Sequence, residues 1–175
     1  MDSPQVGDQL HEGTEALERA DWAGARLAFE HVLDGGGSAG EAVAAEGLGL
    51  ALWFEGRIAQ GIAWRERAVT GYVTQRRSGD AARVAVWVSD QHLIAGRPSA
   101  ARGWLARAER AVAGIPTGTG HGWVAVGRAQ QATSVVEQGA QAERALRFGR
   151  ETGAEDLEIF ALSLLGQAEL TAGHR

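Results

Sequence analysis

"LGLALWFEGRIAQGIAWRERAV" (48–69) and "VSDQHLIAGRPSAARGWLARAE" (88–109) are one phrase written twice. The steps Gly56-Arg57 and Gly96-Arg97 lie 40 residues apart, and so do Trp64 and Trp104, and Ala68 and Ala108. A looser copy precedes them, "GTEALERADWAGARLAFEHVL" (13–33), and another follows, "QQATSVVEQGAQAERALRFGRETG" (130–153). A half-copy, "LGQAELTAGHR" (165–175), comes last. Periods of this length are those of stacked helix pairs, in which each pair buries its apolar face only against the next. The expected fold is therefore all-α: a right-handed α-α solenoid of about nine helices forming one repeat domain over 1–175.

The helix pairs are expected at about 6–34, 41–77, 80–113 and 122–152, with a half-repeat at 154–172. The loop "DGGGSAG" (34–40) separates the first two pairs, and "GIPTGTGHG" (114–122) precedes the fourth. In the fourth pair the expected helices run over about 122–137 and 139–152. Pro98 falls where a first-turn proline is tolerated, just past the Gly96 stop. The segment "VAVWV" (84–88) has the composition of a buried strand, but the repeat register places it in a helix. Ala25, Gly61, Ala101 and Ala142 recur near the start of each second helix, where small residues let two helices approach closely.

Composition narrows function. Hydrophobic residues make up 45% and charged residues 22%, as in a globular domain. The chain has no cysteine, which excludes disulfides, thiolate metal sites and a cysteine nucleophile. All 17 basic residues are arginine, and lysine and asparagine are absent, a bias expected of GC-rich coding. No apolar run reaches the ~18–20 residues that span a bilayer, and the acidic start lacks the pattern of a signal peptide. A cytoplasmic protein without membrane contact is expected. The net charge of −5 disfavours direct binding of nucleic acid. The charge is uneven: residues 1–56 carry eleven acids and two arginines, whereas 57–110 carry ten arginines and four acids. The second stretch is either the solvated face of amphipathic helices or a basic belt for an anionic ligand or acidic partner.

Catalytic motifs are weak. Gly35-Gly36-Gly37-Ser38-Ala39-Gly40 fits G-x-G-x-x-G, but it follows a helix and not a strand, so it reads as a linker. His11, His31, His92, His121 and His174 include no pair at the i,i+4 spacing of a helical metal site. His121 is expected to cap the fourth hairpin. Glu155, Asp156 and Glu158 open the last helix, where acids suit the dipole. No cofactor and no metal are expected, and no enzyme chemistry.

The repeats resemble the tetratricopeptide family. The small residue of the first helix is matched by Gly13, Gly49, Ser89 and Gly166, and that of the second helix by Ala25, Gly61, Ala101 and Ala142. The bulky residue one turn later is matched by Phe29, Leu105 and Leu146, with Arg65 departing in the second copy. The spacing of 36 to 41 residues and the missing terminal proline mark a degenerate array with longer helices. Over nearly the whole chain, segments such as "EALERADWAGARLAFEHVLD", "RSGDAARVAVWVSDQHLIAGRPSAARGWLARAER" and "GRETGAEDLEIFALSLLGQAEL" are similar to the repeat region of actinobacterial LuxR-type transcriptional regulators. That resemblance implies a sensor or interaction scaffold, either part of a regulator or a free-standing relative. The helix-turn-helix of such regulators is not readable in these residues, so DNA binding does not carry over.

In the resembled repeats the first helix of each pair lines the concave side. Projecting that register puts Glu46, Leu50, Trp53 and Arg57 on the inner surface, with Arg83, Val86, Asp90, Leu93 and Arg97 from the third pair and Val124, Gln131 and Ser134 from the fourth. Two occupants stay open. A protein or peptide partner would meet Arg57, Arg83 and Arg97 as charged contacts and Trp53 and Leu93 as apolar anchors. A small molecule would instead be held by Trp53, Trp87 and Trp123, in a receptor or an enzyme. The unpaired last helix, with Leu157, Phe160, Leu164 and Leu165, leaves a face that a second copy could cover in a homodimer.

Overall fold

The computed structural model describes residues 4–35 and 40–173. Among these residues there are nine helices and no strand. The glycine-rich linker at 36–39 and His174 lie outside the described residues. The chain divides into two compact units, Met1–Arg76 and Arg77–Arg175.

The first unit holds α1 (Pro4–Glu18), α2 (Trp22–Asp34), α3 (Glu41–Phe54) and α4 (Ile58–Thr74). Each helix packs on the next. The core joins Ala16, Ala25, Phe29, Val32, Ala44, Leu48, Ala51 and Leu52. Phe29 is its centre. A Cβ on Gly13 would come within 2.7 Å of the Phe29 ring, and one on Gly47 within 2.4 Å. The ring thus fills a slot that α1 and α3 leave by carrying no side chain there. Between α3 and α4 the backbones themselves touch: a Cβ on Gly49 would lie 2.9 Å from the Gly61 carbonyl oxygen. Trp22 stacks on Phe54 with ring centroids 4.3 Å apart, and Arg26 bonds both Glu30 (2.9 Å) and Glu55 (3.2 Å). These two bonds hold the Arg26 guanidinium more firmly protonated than usual.

The second unit holds α5 (Ser78–Ile94), α6 (Pro98–Val112), α7 (Thr119–Gln130), α8 (Val135–Thr152) and α9 (Glu155–Thr171). Here α5 packs on both α6 and α7, and α7 on α8 and α9, so the first helices of successive pairs meet directly. This explains "VAVWV": Val84, Ala85, Val86 and Val88 are all buried because α5 is covered on two sides. Its residues read like a strand for the same reason that a central strand does, burial on both faces.

The repeat phrase has an exact backbone counterpart at the hairpin turns. Gly56 and Gly96 both adopt left-handed backbone (φ 79° and 69°). In each, the next N–H reaches back to the helix: Arg57 to the Leu52 carbonyl and Arg97 to the His92 carbonyl, both at 2.8 Å. In the first pair the same place is taken by Ala20, with φ 57°. Pro98 opens α6 as expected.

The fourth pair departs from its expected bounds. Helix α7 ends at Gln130 and α8 begins at Val135, where an unbroken helix over 122–137 was the expectation. The cause is local. Ser134 is extended and its hydroxyl accepts from the Glu137 N–H at 3.2 Å, while the Glu137 carboxylate accepts from the Thr133 N–H at 3.3 Å. Ser134-Val135-Val136-Glu137 is an S-x-x-E helix start, and it ends the preceding helix by beginning the next. At the other end of α7, His121 Nδ1 accepts from the Gly118 N–H at 3.3 Å, the structural capping role anticipated for it.

Candidate ligand-binding cleft

The residues projected onto an inner face part company. In the first unit, Glu46, Leu50 and Trp53 are half-buried along one side of α3, and the Glu46 carboxylate accepts from the Tyr72 hydroxyl at 2.7 Å. Arg57 is exposed, but it stands at the N-cap of α4, bonded to Gln60 and 3.7 Å from Glu55. It belongs to a hairpin turn and not to the face of α3. Arg97 occupies the matching exposed turn before α6.

In the second unit, Val86 and Val124 are core residues, 2% and 5% exposed. Val86 faces Gly127 of α7, and Val124 faces α6 and α8 beside His121. Burial puts Val86 in the core, whereas Val124 borders a small hollow beside His121. Gln131 is turned inward, donating to the Ser89 hydroxyl at 2.8 Å. Ser134 is the α8 cap just described. Arg83 is half-buried, 3.5 Å from Asp80. A register carried past the end of a helix explains these departures: Arg57, Arg97, Gln131 and Ser134 all lie beyond the last residue of a first helix.

Asp90 and Leu93 fare differently. They line a cleft of about 320 Å³ with Gln130, Gln138, Phe160, Ser163, Leu164 and Gln167. The cleft lies where the ends of α5 and α7 meet the first turn of α8 and the middle turns of α9. Its volume is at the lower end of small-molecule sites. Six of its eight residues were missed. The signal was available, because Phe160, Leu164 and Gln167 repeat the i, i+4, i+7 spacing of Glu46, Leu50 and Trp53 on α9, a first helix that the projection left out.

An aromatic cluster adjoins the cleft through Phe160. Its ring centroid is 4.7 Å from Trp87, edge to face, and 5.5 Å from Trp123, and the two tryptophans are 5.9 Å apart. Two of the three tryptophans considered for a pocket thus come together, whereas Trp53 lies on α3 in the other unit. Trp123 is 2% exposed and its indole N–H has no partner among the described residues. The same is true of Gln130 Oε1, a buried acceptor on the cleft wall. An unsatisfied buried acceptor costs about 1–3 kcal/mol; this oxygen is closed to solvent, so it belongs to the wall and is not a contact offered to the cleft.

Asp90 is the one ionisable group lining the cleft; the rest are three carboxamides, a hydroxyl and apolar side chains. At two other hollows charged side chains on the rim are already paired with each other. One of about 470 Å³ in the first unit, between α3 and α4, is edged by Glu41 and Arg67, which bond each other. One of about 120 Å³ beside His121 has Arg128 already held by Glu109 at 2.8 Å. Among the described residues no cluster of histidine and carboxylate side chains is suited to a metal ion, and no helix is long and apolar enough to cross a membrane. No protein-family model matches the chain, and no curated protein matches it either.

Proposed function

We propose that this chain is a non-catalytic binding module of right-handed, tetratricopeptide-like hairpins, acting in the cytoplasm as the sensor or interaction part of a transcriptional regulator or as a free-standing relative. One observation carries the reading: α5, α7 and α9, the first helices of successive pairs, converge on a cleft lined by Asp90, three carboxamides and the ring of Phe160. The lining favours a small molecule over a protein. Its polar groups point to hydrogen bonding at close quarters, while Arg57 and Arg97, the charged anchors of the protein-partner reading, sit at hairpin turns. The single carboxylate among neutral amides supplies no acid–base pair, which favours holding a ligand over transforming it.

The test is thermal stabilisation of the full chain by fractions of a cell extract. A small-molecule fraction should raise the melting temperature of the wild type and of Arg57→Ala/Arg97→Ala. It should not raise that of Ser163→Trp, which fills the cleft. Stabilisation that survives Ser163→Trp, or its absence with every fraction, would remove the reading.

A second reading has its own observation. The face of α9 expected to seek a second copy is covered within the chain, Leu157 being 0% and Leu164 7% exposed because α9 packs on α7 and α8; Ile159, Leu162 and Leu170, which share another side of the helix, are instead 66%, 51% and 73% exposed. Such a stripe suits a second copy of the chain. Light scattering over a range of concentrations checks it: Ile159→Glu/Leu162→Glu should abolish any dimer, and a monomer at all concentrations dismisses it.

A further inference from the structure

We infer that the open side of α9, a surface apart from the cleft, docks a basic amphipathic helix from a partner chain, laid back along α9 and crossing it at Gly166. The repeat register identifies this kind of cover. Aligning "LGLALW" (48–53) with "LGQAEL" (165–170) matches Ile159, Leu162, Gly166 and Leu170 to Ala42, Ala45, Gly49 and Trp53 of α3. On α3 that side is covered by α4: Gly71 meets Ala42, and Gly61 presses on the backbone of Gly49 and Trp53. On α5 the matching Ser89 bonds the Ala101 carbonyl of α6 at 2.9 Å. Helix α9 also ends in the same turn. Gly173 is left-handed (φ 81°), as Gly56 and Gly96 are, and its N–H reaches the Leu170 carbonyl at 3.2 Å as that of Gly56 reaches Trp53 at 3.0 Å. Yet a Cβ on Gly166 would meet nothing within 4 Å, and Ile159, Leu162 and Leu170 are exposed. The end helix of a repeat stack keeps a polar outer side, and α9 does not. The side that α3 and α5 give to a second helix, with a small residue at the crossing, is here without one.

Charge selects the occupant. Helix α9 carries no basic residue, and the exposed Glu155 and Glu169 continue the stripe, four residues before Ile159 and three after Gly166. Glu169 stands in the last turn, where the helix dipole already has its negative end. Basic side chains flanking an apolar strip answer both acids. The α9 of a second copy would set acids against acids, and like charges facing each other oppose association. The basic α6 of a second copy already buries its apolar side, Trp104 and Leu105 included, in its own fold. As a free peptide, though, α6 has the chemistry required: Ala101 for the crossing, Trp104 and Leu105 for the strip, and Arg102, Arg107 and Arg110 for the acids.

The experiment titrates a fluorescent, end-capped peptide copying residues 98–112 with the full chain and reads its anisotropy. A second peptide carries Arg102→Glu, Arg107→Glu and Arg110→Glu. Saturable binding of the basic peptide is expected, about tenfold or more tighter than that of the acidic one, with a gain in helical circular dichroism and a loss of affinity at high salt. Gly166→Leu fills the crossing without meeting anything in the chain itself. It should weaken binding about tenfold or more by obstructing the docked helix, with the melting temperature of the protein kept. Glu155→Gln/Glu169→Arg should erase the preference for the basic peptide. No binding, equal binding of the two peptides, or binding unmoved by Gly166→Leu overturns the proposal. Light scattering of the same samples adds one more outcome: a dimer that Gly166→Leu dissociates makes the occupant a second copy and overturns it as well. Stabilisation by small molecules, lost in Ser163→Trp, reports on the cleft alone, so either idea can fail without the other.

Discussion

The Ser89 hydroxyl donates to the backbone carbonyl of Ala101 at 2.9 Å, at the position where, 40 residues earlier, Gly49 presses on the Gly61 carbonyl. One hairpin contact is thus made in two ways, by a hydrogen bond in the second unit and by bare backbone in the first. The two should not be interchangeable. Gly49→Ser would put a Cβ 2.7 Å from Arg65 Cγ and 2.9 Å from the Gly61 oxygen, an overpacking worth about 1–3 kcal/mol. Ser89→Ala should cost about 1–2 kcal/mol, because Gln131 loses its acceptor as well. Urea denaturation of both variants checks this, and a neutral Gly49→Ser would show that α3 and α4 can separate freely.

The left-handed residue at the hairpin turn gives a second prediction. Gly56 and Gly96 adopt it without strain, but Ala20 and Arg76 carry a Cβ at φ 57° and 58°. A non-glycine residue there is disfavoured by about 1–2 kcal/mol. Ala20→Gly should therefore stabilise the protein by up to about 1 kcal/mol, once the added freedom of the unfolded chain is counted. Gly56→Ala should destabilise it by a similar amount. Melting temperatures that move in opposite directions for these repeat-equivalent changes are the expected result.

Phe29 supplies the largest stability effect in the first unit. It is 1% exposed and seated on Gly13 and Gly47. Phe29→Ala should cost about 3–5 kcal/mol. Gly47→Ala should itself be costly, since the new methyl would fall 2.4 Å from the ring. Combining Gly47→Ala with Phe29→Leu should recover part of that loss, and strict additivity in the double mutant would mean that the two residues do not share the slot.

How much of this could be read from residues alone follows from what repeats. The hairpin turns were legible because Gly56-Arg57 and Gly96-Arg97 recur with their backbone hydrogen bonds. The helical state of "VAVWV" was legible only through the repeat register, since its composition reflects burial and not strand geometry. The fourth pair was misjudged where the register was weakest, and the S-x-x-E at Ser134 is a local signal that should have outweighed it. Only a quarter of the cleft was read, two of its eight residues. Asp90 and Leu93 follow from helical spacing, but Gln138 and Ser163 reach the same hollow from helices whose approach no periodicity specifies.

The buried indole of Trp123 makes a prediction that runs against its size. Its N–H has no partner among the described residues. Trp123→Phe removes an unsatisfied donor as well as volume, and the two effects oppose each other. The expected loss is below about 1.5 kcal/mol, against about 3–5 kcal/mol for Trp123→Ala. Chemical denaturation of the pair measures the difference, and a Phe variant as damaged as the Ala variant would mean that the indole N–H is satisfied in solution.

Ser134 links a helix cap to the proposed ligand. Its hydroxyl holds the Glu137 N–H, and Gln138, the next residue, lines the cleft from the first turn of α8. Ser134→Ala should cost about 1 kcal/mol of stability through the lost cap. The frayed first turn no longer fixes the Gln138 carboxamide, so ligand affinity should fall although Ser134 itself does not line the cleft. Ser134→Asp restores a capping oxygen and adds a charge that suits a helix start. It should recover both stability and affinity. Hydrogen exchange at residues 135–138 separates this from a general loss of stability: protection there should drop in the Ala variant and return in the Asp variant, while α5 and α7 stay protected. Equal loss of protection in all three helices would show that the cap acts on the whole unit and not on the position of Gln138.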